Sequence, residues 1–135
     1  MDICSFLSKS YTAYHAVRHS VFILEKNGFC ELNLADAWKL QKGGKYYVTK
    51  NGSCVIAFVV GDNFAFNIAG SHTDSPSLHV KGNDLIDSCE GKRVNVEKYG
   101  GAILYSFIDA PLKIAGRIVE EHDGKLVQKV IESDY

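Results

Sequence analysis

Apolar positions change their period along the chain, and each change marks a predicted element. In the first quarter they recur at helical spacing. Ile3, Phe6 and Leu7 share one helical face, and Ser10-Tyr11-Thr12 then interrupts the pattern. Ala13, Val17, Val21 and Leu24 resume it, and Asn27-Gly28 stops it, with the glycine suited to a left-handed cap. Two helices are expected there. Near residue 44 the pattern turns to strands in "GGKYYVTKNGSCVIAFVVGDNFAFNIAG". Strands are expected near 45–50, 53–60 and 64–70, separated by Asn51-Gly52 and by Gly61-Asp62-Asn63. The middle run, "CVIAFVV", is apolar on both faces and therefore calls for cover on both sides. Further short strands follow as "SLHVK", "KRVNVEKY", "LKIAGRIVEE" and "KLVQKVIE", with Asp123-Gly124 as a hairpin turn between the last two. Helices first and strands later describe an α/β or α+β layout, not a bundle.

Composition narrows the classes of function. The 135 residues are 46% hydrophobic and 23% charged, enough apolar mass for a core and a usual size for one domain. The 15 basic and 16 acidic residues leave a net charge of -1, which gives no reason to expect nucleic acid or an anionic membrane surface as a partner. No apolar run has the roughly 18 residues of a membrane span. The opening "MDICSFLSKSYTAYHAV" lacks the basic and apolar regions of a secretory signal, so the expected compartment is the cytoplasm. Cys4, Cys30, Cys54 and Cys89 are widely spaced without a C-x-x-C pair, and are expected as free thiols buried like small hydrophobes.

The chemical accent falls on "NIAGSHTDSPSLHV", residues 67–80, where His72 and Asp74 follow what reads as a strand end. Two positions apart in extended chain, their side chains project to the same side. A neutral imidazole is a good zinc ligand, and a neighbouring carboxylate can fix its tautomer and orientation. On spacing alone, a capped polar turn is the simpler reading, because a catalytic zinc needs about three protein ligands. His79 is a further candidate ligand, but a histidine on a short strand is more often packed or exposed. His15 and His19, four apart on the second helix, are expected at the surface. His122 falls in the solvated turn "EEHDG". Asp84, Asp87, Glu90 and Glu97 suit a charged loop as well as a metal site, and nothing singles out Cys89. Gly100-Gly101 lacks the lysine and hydroxyl of a phosphate loop and reads as a turn, and Trp38 with Leu40 reads as an anchor for the loop after the second helix. No G-x-S-x-G elbow is present.

Four ordered stretches carry a resemblance: "FLSKSYTAYHAV", "WKLQKGGKYYVTKNGSCVIAFVVG", "AGSHTDSP" and "VEKYGGAILYSFIDAPLKIAGRIV". Together they resemble the N-terminal portion of the aspartyl aminopeptidase family, the dinuclear zinc aminopeptidases. The resemblance runs from about Phe6 to about Ile131. It implies an α/β fold in which N-terminal helices and a mixed sheet of the catalytic domain, residues 1–82, run into the start of a β-rich second domain, 83–135. It implies His72 as a zinc ligand and Asp74 as the residue that orients the metal site. It implies removal of N-terminal, often acidic, residues from peptide substrates with two zinc ions and a glutamate base, and a homo-oligomer. The family's other metal ligands and its base lie downstream of anything in this chain. Tyr105 stands near where many members carry a histidine that reaches a neighbouring subunit, and Asp109-Ala110 stands where they tend to have Asp-Arg. Two readings follow. The chain is the N-terminal part of a zinc aminopeptidase and lacks a complete site, or it is a non-catalytic remnant acting as a binding or assembly module.

Overall fold

The computed structural model describes residues 2–63 and 65–133, apart from the side chains of Asn83 and Asp84. Both expected helices form. Helix α1, Ile3–Lys9, starts at Asp2, whose carboxylate accepts from the Ser5 backbone N–H at 3.0 Å and from the Ser5 hydroxyl at 2.7 Å. These bonds hold the Asp2 carboxyl below its usual range. Helix α2, Ala13–Lys26, starts at Thr12, whose Oγ1 accepts from the His15 N–H at 3.4 Å. It ends where the Gly28 N–H reaches the Glu25 carbonyl at 3.0 Å and the Phe29 N–H reaches the Leu24 carbonyl at 3.1 Å. That pair of bonds needs a left-handed residue at position 28, and Gly28 supplies it at φ +80°.

A mixed three-stranded sheet follows, in the order β1 (Cys30–Glu31), β2 (Lys45–Lys50), β3 (Cys54–Val59). Strand β1 runs parallel to β2, with Cys30 opposite Tyr46, and β3 runs antiparallel to β2, with Val48 opposite Ile56. The turn between β2 and β3 carries Asn51 and Gly52 at φ +54° and +68°. Helix α2 lies against β2 and β3. The described core is small: His15, Ala16 and Val17 of α2 and Tyr47 and Val48 of β2 are its buried residues. Tyr47, 1% exposed, donates its hydroxyl to Glu25 Oε1 at 2.9 Å. Burial first, and then this bond and nearby acids, push the Tyr47 phenol up to about 12.

Two corrections follow from the strand order. "CVIAFVV" is not covered on both sides: Ile56 is 59% and Val59 55% exposed. The strand buried on both faces is β2, where the neighbours Tyr47 and Val48 point to opposite sides, because β2 is central and β3 lies at an edge. The third expected strand, 64–70, does not form over 65–70, and Phe64 lies outside the described residues. Phe66 and Ile68 are 79% and 89% exposed. A strand exists only against a partner's hydrogen-bonding edge, and no described residue pairs with this segment.

The contacts divide the chain into two units, Met1–Asp74 with Lys113–Tyr135, and Ser75–Leu112. The second contains the hairpin of β4 (Ser77–Ser88) and β5 (Gly91–Tyr99), with a register shift between Val80 and Leu85, and a 3₁₀ turn at Leu104–Phe107. Strand β4 is longer than "SLHVK" and runs through residues 82 and 83. Gly100, at φ +71°, begins the turn that leaves β5. The first unit contains the hairpin of β6 (Ala115–His122) and β7 (Lys125–Glu132), joined by Asp123 and Gly124 at φ +52° and +72°, as the Asp-Gly signal predicts. Trp38 anchors its loop by donating Nε1–H to the Asn33 carbonyl at 2.8 Å and stacking on Phe58. All four cysteines are free, as expected, but exposed and not buried, because the core takes in so few residues. No helix among the described residues is long and apolar enough to cross a membrane.

Candidate functional site

His72 and Asp74 lie in the irregular segment of chain that follows β3 and precedes β4. His72 Nδ1 is 2.7 Å from the Asp74 main-chain carbonyl and 3.7 Å from Asp74 Oδ1. A carbonyl only accepts, so Nδ1 carries the hydrogen and, in the neutral ring, Nε2 carries the lone pair. The His72 side chain is 75% exposed and the Asp74 side chain 45%. The segment therefore holds out one oriented imidazole nitrogen beside one carboxylate. The sequence reading looked to the Asp74 carboxylate as orienter. The shorter contact is to that residue's own carbonyl, which no residue type announces.

The other candidates have surroundings of their own. His79 is exposed and its ring stacks on Tyr99 at 4.3 Å between centroids and 10° between planes. Glu90 receives Arg93 at 2.9 Å, and Asp87 stands opposite Lys92 in the β4–β5 ladder. The Asp84 side chain lies outside the description. Cys89 and His122 are exposed, and Tyr105 is 84% exposed in the 3₁₀ turn. A hollow lined by Glu31, Leu32, Asn33, Leu34 and Thr49 contains no imidazole. Among the described residues no three His, Cys, Asp or Glu side chains come together as a metal would require. Zinc chemistry thus fits His72 as one donor, but the described residues do not make a zinc site by themselves.

The surface expectation for His15 and His19 is corrected. His15 is fully buried and His19 half-buried. His15 Nδ1 is 2.8 Å from Thr12 Oγ1, and its Nε2 is 3.6 Å from Glu132 Oε2 of β7. His19 stands edge-on to Phe6 of α1 at 6.4 Å. Burial, with Arg18 next, pushes both imidazoles below the usual histidine range. The helical periodicity placed these residues on α2. It did not show that α1 and the β6–β7 hairpin would close over them.

The comparisons with known proteins agree with one another. The chain is 44% identical over 122 residues to a probable M18 family aminopeptidase 2 of Clostridium novyi, covering 87% of this chain and 28% of that protein. It is 39% identical over 135 residues to the aspartyl aminopeptidase of Dictyostelium discoideum, covering 96% and 28% respectively. The mApe1 dodecamer of Saccharomyces cerevisiae superposes with a TM-score of 0.84 at 29% identity, over 96% of this chain and 32% of that one. The chain thus spans about 28% of the length of these curated relatives. The model of the aminopeptidase I zinc metalloprotease family matches residues 6–135, and the chain belongs to that family, M18.

Proposed function

We propose that this chain serves as the amino-terminal portion of a zinc-dependent aminopeptidase that removes N-terminal, acidic residues from peptides. In this reading His72 contributes one metal ligand through Nε2, and Asp74 holds its orientation. The single observation behind it is the bond from His72 Nδ1 to the Asp74 carbonyl, which leaves Nε2 as a donor, within a chain matched to the family over residues 6–135. Residues 1–82 then belong to the catalytic part and 83–135 begin the β-rich part. Tyr105 does not substitute for a histidine reaching a neighbouring subunit, since a phenol offers no cationic donor. The four free thiols support a reducing compartment, the cytoplasm. The dodecamer named for the S. cerevisiae relative supports a homo-oligomer.

The absence of a three-donor group among the described residues favours a second reading for the 135 residues alone, a non-catalytic binding or assembly module. Calorimetric titration of the chain with zinc, beside His72→Ala, separates the two. The expected result is weak binding that disappears in His72→Ala. Binding of equal strength in both proteins overturns the assignment of His72. The aminopeptidase reading predicts that the chain alone gives no chelator-sensitive turnover of an aminoacyl chromogenic substrate. It also predicts that activity appears only when the polypeptide continues into the ligands found in the longer relatives. An extended chain with a full ligand set and no peptidase activity overturns that reading.

A further inference from the structure

The β6–β7 hairpin shares no ladder with the sheet of β1, β2 and β3. The described polar and ring contacts that tie it and its approach to the rest of the unit come from few side chains. Arg117 lies over the Tyr14 ring at 4.6 Å and donates to the Asn51 carbonyl at 3.2 Å. Lys113 lies over the Tyr11 ring at 5.2 Å. Glu132 approaches His15. Exposed cation–π and ion contacts of this kind are individually weak. A buried titratable group, His15, sits at the hairpin's contact with α2.

We propose that His15 and His19 form an acid-sensitive latch: taking up protons releases the β6–β7 hairpin from α2. His15 Nδ1 lies 2.8 Å from Thr12 Oγ1, which also accepts the His15 backbone N–H, and its buried Nε2 has no hydrogen-bond partner, Glu132 Oε2 standing 3.6 Å away. A second proton on the ring places a charge where burial withholds water, three residues into the positive end of α2. The charged and titratable groups around the two rings are Arg18 on α2, Lys9 on α1 and Glu132 on β7, with the Tyr11 ring 5.6 Å from His15. Among the described residues Glu132 is the group that favours the cation, and its side chain is 43% exposed at 3.6 Å, so water screens its attraction. His19 Nδ1 is buried without a hydrogen-bond partner. Lifting the hairpin hydrates His15 and lets both rings charge.

The sign follows from burial. Both imidazoles sit below the ordinary value of 6.5 when folded, so the opened state binds more protons as the pH falls past 6.5. The closed hairpin is fully stable above that pH and loses stability on acidification.

Amide hydrogen exchange on the 135-residue chain, corrected for intrinsic rates and compared at about pH 7.5 and about pH 5.5, tests this. Protection of 115–132 should fall about tenfold, because pH 5.5 lies about one unit below the ordinary 6.5 at which an opened imidazole charges, while β2 and β3 keep theirs. A His15→Gln, His19→Gln double variant should show no such selective fall. Unchanged hairpin protection in the wild type overturns the latch. So do an equal loss across β2 and β3, a loss confined to α1, and the same fall in the double variant. If the double variant does not fold, NMR titration of the wild-type His15 ring decides. Protonation in step with hairpin opening supports the latch, and a charged His15 beneath a protected hairpin overturns it.

Discussion

At the scale of single residues, two side chains carry the sharpest expectations. If His72 is the ligand proposed above, His72→Ala in a polypeptide that completes the site removes a metal donor. Asp74→Asn keeps the main-chain carbonyl that holds His72 Nδ1 and changes only the carboxylate at 3.7 Å. The expected outcome is loss of most activity and zinc for the first, and a roughly 10- to 100-fold weaker metal affinity for the second. Measured zinc content and titration check both, and normal zinc in His72→Ala would show the assignment wrong. Tyr47 makes a separate prediction. Its phenol is raised to about 12, so the folded state holds that proton longer than the unfolded chain, whose tyrosines titrate near 10. The stabilisation is complete below pH 10 and is lost as the pH climbs to about 12. Tyr47→Phe should cost about 1 kcal/mol near neutrality through the lost bond to Glu25 and should flatten that alkaline decline. Urea unfolding as a function of pH measures both effects. The residue types and spacing at 72 and 74 could be read directly. The burial of Tyr47 and His15 could not, because it depends on which elements close over them.

At the scale of elements, legibility follows locality. The stop of α2, the Asn51-Gly52 turn and the Asp123-Gly124 turn all form where neighbouring residues require left-handed backbone, so they could be read without knowing the fold. Gly28→Ala tests this most simply. No atom lies within 4 Å of the added Cβ, so the cost is the backbone conformation alone, about 1 kcal/mol, measurable as a lower urea midpoint. A Gly28→Ala chain as stable as the wild type would mean that the cap contributes nothing. The expected strand over 64–70 failed for the complementary reason. Its composition is right for a strand, but a strand forms only when it pairs, and no described strand pairs with residues 65–70. The two-residue strand β1 escaped notice because Cys30 and Glu31 carry no period of their own and are ordered by β2.

At the scale of the whole molecule, the described buried apolar residues are few: Ala16, Val17, Tyr47 and Val48. Against them stand exposed Ile56, Val59, Phe66 and Ile68 in the first unit, and exposed Val80, Leu85 and Ile86 on β4. Apolar surface and open strand edges of this extent favour association. The 135-residue chain is expected to self-associate at about micromolar concentration, with light scattering or sedimentation as the measurement. A sharp monomer with cooperative unfolding would show that the described surfaces need no cover.

The sequence by itself determined the two helices, the glycine stop of the second, the Asn51-Gly52 and Asp123-Gly124 turns and the His72–Asp74 accent, because each depends on residues a few positions apart. Its ordered match to the family rests on the same local strings, now extended over residues 6–135. Only the tertiary structure decided that β2 and not β3 is central, that 65–70 stands unpaired, that His15 is buried against Glu132, and that the Asp74 carbonyl turns the ring of His72. Those outcomes depend on which distant segments share an edge or a face. That choice is set by burial and by the pairing of backbone groups across the fold, and no local pattern records it.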